Sequence, residues 1–150
     1  MGLARRTVLG GLAVTAVAGI GGVALVTLMK PVPGAAEMTP PDVLDAVQSD
    51  TILLIDIRQP EEWADTGVPR GAVPIDMRRP DFADAVQQAR TGPMQPVALI
   101  CARGVRSRRM TARLRDAGIT PIIDVPEGML GSFAGPGWLE RGLPVDAWTG

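Results

Sequence analysis

Hydrophobic residues change their spacing repeatedly along this chain, and the changes predict strands that alternate with helices. Thr51–Ile57 and Pro121–Val125 are rich in β-branched residues, which favours strands, and Ala72–Met77 is predicted as a further short strand. Val97–Ile100 is apolar without interruption, as strands are when helices cover both faces of a parallel sheet. These four segments are the predicted strands of one sheet.

The segments between the strands carry apolar residues at helical spacing. In the helix that is predicted to begin near Ser107, Met110, Leu114 and Ala117 are spaced to pack against the sheet. Because strands and helices alternate, the sequence predicts an α/β fold with a central parallel sheet, right-handed crossovers and helices on both faces. The other predicted helices are Asp42–Ser49, Pro60–Asp65, Pro80–Arg90 and Trp138–Arg141.

The N-terminal segment, residues 1–36, has the pattern of an export signal or a membrane anchor. Arg5 and Arg6 precede an uncharged run from Thr7 to Met29, and their setting resembles a twin-arginine signal. Small residues at 34–36 offer a cleavage site, but the run is also long enough to span a bilayer through residues 8–29. Since paired arginines keep the N-terminus inside, we expect the rest of the chain in the periplasm, either cleaved or anchored.

A proline-rich tether, Pro31–Pro41, is predicted to join this segment to one domain, residues 37–150. Of 15 basic residues, Arg5, Arg6 and Lys30 precede residue 31, whereas all 16 acidic residues follow it. The remaining 12 basic and 16 acidic residues give a net charge of −4, which argues against a nucleic-acid partner. With one cysteine and no histidine, the chain has neither an internal disulfide nor a cysteine–histidine pair, and we expect no metal and no cofactor.

The only cysteine, Cys101, directly follows the apolar strand. Ligand sites in parallel sheets lie outside the carboxyl ends of the strands, and the loop after Cys101 leads into a helix N-terminus, which favours an anion. Arg103 and Arg106 lie inside this loop and are predicted to bind that anion. The alternative for a single cysteine is an inert buried residue. A solvated helix face is predicted for Arg108, Arg109, Arg113 and Arg115.

The loop Cys101–Ser107, Cys-Ala-Arg-Gly-Val-Arg-Ser, resembles the active-site loop of the rhodanese family of sulfurtransferases. The likeness continues in Leu54–Trp63, Gly71–Ile75, Glu127–Leu130 and Gly142–Val145, and so covers residues 38–147 in order. The resemblance implies a rhodanese-like fold with a catalytic cysteine at position 101. It also implies a substrate-binding loop of Ala102, Arg103, Gly104, Val105, Arg106 and Ser107.

Three features outside the loop bear on this resemblance. Asp56 and Arg58 match a pair that lies beside the active loop in rhodanese-like proteins and helps to fix it; an ordinary ion pair at a strand end is the alternative. Two-domain thiosulfate sulfurtransferases carry a substrate-binding arginine where this chain has Glu62, which puts thiosulfate in doubt as the donor. The insertion Gly131–Gly137 is predicted as a plain loop, with a lid or a partner surface as alternatives.

The expected function is that of an exported sulfurtransferase that works through a Cys101 persulfide. Sulfane sulfur would pass from an anionic donor, thiosulfate-like or a persulfide, to a thiol, a cyanide-like acceptor or a protein. The alternatives are a non-catalytic rhodanese module for binding or sensing, and a phosphatase or arsenate reductase. Related phosphatases have five residues between cysteine and arginine, whereas four separate Cys101 from Arg106, and the shorter loop suits sulfur better than phosphate.

Overall fold

The computed structural model describes residues 36–150 and shows an α/β fold. The helices are α1 (Pro40–Gln48), α2 (Pro60–Thr66), α3 (Phe82–Ala89), α4 (Val105–Asp116) and α5 (Gly137–Glu140). The strands are β1 (Ala36–Glu37), β2 (Leu53–Asp56), β3 (Val68–Pro69), β4 (Val73–Pro74), β5 (Val97–Ile100), β6 (Ile122–Asp124) and β7 (Val145–Asp146).

Five strands form a parallel sheet in the order β1-β6-β5-β2-β4, with β5 at its centre. In β2 and β5, Leu54 lies opposite Ala98 and Asp56 lies opposite Ile100. The carboxyl ends of these neighbouring strands therefore meet at one edge of the sheet, and the residue after Ile100 is Cys101. The predicted central parallel sheet is confirmed.

The two faces of the sheet are covered by different helices, as the alternation of side chains along β5 shows. Val97 and Leu99 pack in one apolar core with residues of α3 and α4, whereas Ala98 and Ile100 pack in a second core with residues of α1 and α5. Since all four side chains are fully buried, β5 needs the uninterrupted apolar run that the sequence has. Helices on both faces are confirmed.

The structure corrects several predicted bounds. The tether prediction is wrong from Ala36 onward, because Ala36–Glu37 pairs with β6 and Pro40 begins α1. Within the predicted strand at 72–77 only Val73–Pro74 is a strand. The helix expected near Ser107 begins at Val105, and Ala117 is exposed beyond its end, whereas Ser107 and Thr111 are buried in its place. An antiparallel pair, β3 with β7, was not predicted, because strands of two residues have no periodic pattern.

Residues 1–35 lie outside the described part of the chain. The predicted twin-arginine-like signal, its cleavage site and the membrane segment at residues 8–29 therefore stay predictions. Among residues 36–150, none of the helices has the length and apolar character that crossing a membrane requires.

Candidate active site

Cys101 lies at the end of the central strand, against the first turn of α4. Its side chain is buried, with 1% of the residue exposed. The backbone N–H of Ser107 donates to Cys101 Sγ at 3.4 Å, and the Ser107 hydroxyl lies 3.6 Å from the same sulfur. Because the N–H groups of a first helical turn have no partner within the helix, they stabilise negative charge on the sulfur. The structure thus brings Cys101 and Ser107 together, as predicted from the loop sequence.

The segment that follows β6 fixes the backbone of the cysteine loop. The carbonyl of Cys101 accepts a hydrogen bond from the N–H of Met129 at 2.9 Å, and that of Ala102 accepts one from Leu130 at 2.8 Å. Both carbonyls are therefore turned toward this segment. The loop conformation is set by two chain segments rather than by the loop sequence alone.

Two glycines permit this close approach. Gly104 has φ +79°, and a Cβ there would stand 2.1 Å from the carbonyl oxygen of Pro126. Gly128 has φ +68°, and a Cβ there would stand 2.5 Å from the carbonyl oxygen of Ala102. Real Cβ contacts are not that short, so both positions require glycine. This role of Gly128 was not predicted from the sequence. The glycine was visible after Glu127, but nothing near it in the sequence indicates a contact with Ala102.

Arg58 and Asp56 form a buried ion pair at the end of β2, beside Cys101 in the sheet. Their side chains are 1% and 0% exposed, and Arg58 Nη2 lies 2.7 Å from Asp56 Oδ2. The remaining guanidinium N–H groups donate to Thr66 Oγ1 and to the carbonyls of Glu62 and Gly67. The pair therefore ties β2 to α2, and its predicted role of fixing the cysteine loop stays a prediction, as does the alternative of an ordinary strand-end pair.

Helix α2 in turn presents Glu62 to the cysteine loop. The two carboxylate oxygens of Glu62 accept hydrogen bonds from Arg106 at 2.6 and 2.7 Å, and one also accepts from the N–H of Gln59 at 3.0 Å. The Arg106 guanidinium holds the pKa of Glu62 below its ordinary value. The loop arginine that was predicted to bind a substrate anion thus has a carboxylate of its own chain beside it.

Two other residues of the loop, Arg103 and Val105, are exposed, whereas Gly104 is buried and Ala102 is partly exposed. Arg103 is exposed and donates to the carbonyl of Gly131 at 3.3 Å, and Val105 is 60% exposed. The exposed helix face that was predicted for four further arginines is confirmed, since all of them are exposed: Arg108, Arg109, Arg113 and Arg115.

The insertion Gly131–Gly137 is a structured turn beside the loop. Ser132 and Gly135 form a bridge, and the Ser132 hydroxyl donates to the carbonyl of Pro126 at 2.7 Å. Buried Glu127 anchors the far end, because it accepts hydrogen bonds from the N–H of Gly137 and from Arg141. The turn borders a groove of about 610 Å³, whose lining residues include Arg103, Val105, Leu130 and exposed Phe133.

Asp124, at the end of β6, is a further buried carboxylate that the sequence gave no reason to select. It is 1% exposed, and neither carboxylate oxygen has a hydrogen-bond partner in the described part of the chain. Burial raises the pKa of Asp124 above its ordinary value, with Arg108 4.0 Å away. Among residues 36–150, no group of three or more histidine, cysteine or acidic side chains is arranged to hold a metal ion.

Several solved structures have a similar fold. The polysulfide-sulfur transferase homodimer of Wolinella succinogenes is 27% identical over 77% of this chain and 80% of its own, with a TM-score of 0.60. Rv0390 from M. tuberculosis is also 27% identical over 77% of this chain and 99% of its own, with the same TM-score of 0.60.

A protein of Rhodopseudomonas palustris CGA009, described as a possible tyrosine phosphatase, shares the fold at 22% identity and a TM-score of 0.56, over 75% of this chain and 85% of its own. No curated protein matches the chain in sequence.

The family model of the rhodanese-like domain matches residues 39–131, which include β2, β5, the cysteine loop and Gly128. This chain therefore belongs to the rhodanese-like domain family.

Proposed function

We propose that this protein is a sulfurtransferase that carries sulfane sulfur on Cys101. The observation that carries the proposal is the environment of the Cys101 sulfur, which accepts the Ser107 N–H at the start of α4. A helix N-terminus favours a thiolate and a persulfide anion alike. Membership of the rhodanese-like family and the likeness to a polysulfide-sulfur transferase agree with this chemistry.

The reaction runs in two nucleophilic steps. In the first, the Cys101 thiolate attacks the outer sulfur of the donor, a new S–S bond forms, and the donor's own S–S bond breaks. From thiosulfate the leaving group is sulfite, and from an organic persulfide, R–S–S–H, it is the thiolate R–S⁻. In the second step an acceptor attacks the outer sulfur, a new bond to the acceptor forms, and the S–S bond of the Cys101 persulfide breaks. Cyanide becomes thiocyanate, a thiol becomes a persulfide, and the Cys101 thiolate is restored.

The surrounding residues bind and orient rather than exchange protons. The Ser107 N–H supports the charge on the sulfur, and we assign the same role to the backbone N–H groups of Ala102, Gly104 and Val105. Arg103, exposed within the loop, would attract an anionic donor through its permanent positive charge. Asp56 and Arg58 do not touch the sulfur and act as positioning residues.

Because Cys101 is buried, the substrate group that reacts with it must be narrow. With 1% of the residue exposed, the thiol is accessible to the single terminal sulfur of a persulfide more readily than to a tetrahedral phosphate. This favours sulfur transfer over phosphatase or arsenate-reductase chemistry. A protein with a persulfide or a thiol on an exposed chain end is a suitable donor or acceptor for the same reason.

We further propose that the domain acts outside the cytoplasmic membrane, on the strength of the paired arginines and the uncharged run in residues 1–36. Replacing Arg5 and Arg6 with lysine would then retain the protein in the cytoplasm if the export route requires twin arginines. Cell fractionation of both forms measures this directly. If the wild-type protein and the lysine variant are exported equally, the twin-arginine route is excluded, and residues 1–36 act as an ordinary signal peptide or as a membrane anchor.

The intact mass of the protein after incubation with a sulfur donor tests the central proposal. We expect the mass of one sulfur atom to be added by thiosulfate or by an alkyl persulfide, and to be removed by cyanide. The matched variant Cys101→Ser should gain nothing. If neither donor adds sulfur to the wild-type protein, the sulfurtransferase proposal fails and a binding or sensing module takes its place.

A further inference from the structure

Two grooves lie side by side next to the cysteine loop and share one exposed aromatic side chain, Phe133. The first, of about 320 Å³, is lined by the first turns of α4, and the second, of about 610 Å³, runs along the turn Gly131–Gly137. Phe133 is fully exposed, and Val105, which also lines both grooves, is 60% exposed. We call this surface the loop face and define it by six lining residues: Arg103, Val105, Arg108, Arg109, Leu130 and Phe133.

The turn that carries Phe133 is held in place from both sides. The Ser132 hydroxyl donates to the carbonyl of Pro126 at 2.7 Å. A Cβ at Gly137 would stand 2.2 Å from the backbone nitrogen of Gly131, so the two ends of the turn pack directly against each other. Because this backbone is fixed before anything binds, an aromatic side chain at its tip loses little freedom on binding. Aromatic side chains of this kind anchor many protein interfaces.

Three arginines give the first groove a positive charge. Arg103, Arg108 and Arg109 are exposed and line this groove, and none of its lining residues in the described chain is acidic. Arg108 has the buried carboxylate of Asp124 at 4.0 Å. Arg103 donates to a backbone carbonyl, and within residues 36–150 neither Arg103 nor Arg109 forms an ion pair. Most of the charge of the three side chains is therefore uncompensated.

The other charged residues near the loop leave this positive charge in place. Arg58 is paired with Asp56, and Arg106 is paired with Glu62, so these two pairs add no net charge. Glu140 lines the second groove, which confines the positive charge to the first. After residue 30 the chain has 12 basic and 16 acidic residues, so the arginine-lined groove is a local exception on a negatively charged domain.

From this arrangement we infer that the loop face docks a protein partner through an exposed segment with both acidic and apolar side chains. The acidic side chains would pair with the arginines of the first groove, and the apolar ones would pack on Phe133 and Leu130. The partner's cysteine exchanges sulfur with Cys101, so the inference rests on the proposed function. As a donor, its persulfide gives the outer sulfur to the Cys101 thiolate and leaves as a thiolate; as an acceptor, its thiolate runs the same step in reverse.

The position of the loop face favours a protein segment over a lipid surface. Arg103 and Val105 belong to the cysteine loop, so a segment bound here ends close to Cys101. Since Cys101 is 1% exposed, it offers little surface to a partner, and binding energy has to come from contacts away from the sulfur. The loop face supplies such contacts. A bilayer resting on Phe133 would instead cover the loop.

The test compares peptide persulfides as sulfur donors to the full-length protein, with cyanide as the acceptor. The probe peptide has alternating aspartate and leucine residues, then three glycines and a cysteine persulfide. Two matched peptides have lysine in place of aspartate or serine in place of leucine. With 2-hydroxyethyl persulfide as the reference donor, we expect the relative kcat/KM of the probe peptide to exceed that of either matched peptide roughly tenfold. The advantage over the lysine peptide should shrink at high salt.

Four variants assign this preference to the loop face. Phe133→Ser should lower the relative kcat/KM of the probe peptide about tenfold, and Arg109→Gln about threefold at low salt. The matched controls remove similar side chains elsewhere on the surface. Met94→Ser changes a residue that is 75% exposed and lines neither groove, and Arg113→Gln changes an exposed arginine of α4 that also lines neither. Both controls should change the relative kcat/KM little.

The outcomes separate the inference from the proposed function. If the three peptides have equal relative kcat/KM values, or if Phe133→Ser acts no more strongly than Met94→Ser, the docking inference is overturned and the sulfurtransferase proposal stands. If Phe133 is instead required for sedimentation of the protein with phosphatidylglycerol vesicles and the peptides show no preference, the face binds membranes and the inference is overturned as well. If neither the peptides nor 2-hydroxyethyl persulfide add sulfur to Cys101, the proposed function itself fails.

Discussion

Replacing Asp56 with asparagine removes one charge from a buried ion pair and leaves the other. The carboxylate accepts four hydrogen bonds from the N–H, Nε and Nη2 of Arg58, at 2.7 to 3.1 Å. An asparagine of the same size turns an NH₂ group toward the guanidinium, where two donors meet. Arg58 is 1% exposed, so water does not replace the lost acceptor.

The size of the effect follows from this geometry. Breaking a buried pair by removing one partner costs about 3–5 kcal/mol, because an uncompensated charge remains buried. A domain of this size has an unfolding free energy of about 5–15 kcal/mol, so Asp56→Asn should remove a large share of it. The matched control is Asp146→Asn, since Asp146 pairs with Arg70 at 3.1 Å while both side chains are more than half exposed. That change should cost less than about 1 kcal/mol.

Urea denaturation followed by tryptophan fluorescence measures both variants. Trp63, one of three tryptophans, is buried in α2, which the Arg58 side chain holds to β2, so part of the emission reports on this region. We expect a midpoint shift for Asp56→Asn several times larger than that for Asp146→Asn. A loss below about 1 kcal/mol in Asp56→Asn would refute the reasoning, because it would mean that water or rearrangement compensates Arg58.

Two other predictions concern the segment after β6. Gly128→Ala places a methyl group against the carbonyl of Ala102 and should therefore displace the cysteine loop. In the mass assay, this variant should add sulfur to Cys101 more slowly than the wild-type protein. The control Gly118→Ala changes a glycine of similar φ that has open space around it, so it should lower stability alone. The Arg141 guanidinium holds the pKa of Glu127 below its ordinary value of 4.5, so the pair stabilises the fold above pH 4.5 and loses its contribution as pH falls through the lowered pKa. Glu127→Gln should therefore unfold at lower urea than the wild-type protein at pH 7, and the difference should vanish in acid; a constant difference across that range would contradict it.

Much of the scaffold was accessible from local sequence. Val97–Ile100 was predicted with the bounds that β5 has, because four buried apolar residues in a row describe a strand covered on both faces. The position of Cys101 at the sheet edge followed from that strand and from the rule for parallel sheets. The geometry fits the chemical roles of Cys101 and its loop. These roles stay predictions until the mass experiment tests them.

Other features could not be predicted from the sequence, because no local pattern of residues encodes them. The two-residue strands β1, β3 and β7 are defined by the backbones they pair with, not by their own side chains. Nothing in the sequence distinguishes Asp124 from other acidic residues, and only the packing around it shows that its carboxylate is buried. Gly128 was visible as a glycine, but the carbonyl that would clash with a Cβ belongs to Ala102, far away in the sequence.

By itself the sequence determined the alternation of strands and helices, the two-faced sheet and the place of its only cysteine, because hydrophobic period and turn chemistry act between near neighbours. The tertiary structure alone decided which charges meet. Glu62 and Arg106 are 44 positions apart and become partners only when α2 and the cysteine loop pack on the same edge of the sheet. Electrostatic interactions depend on distance in space, which the order of residues along a chain does not contain.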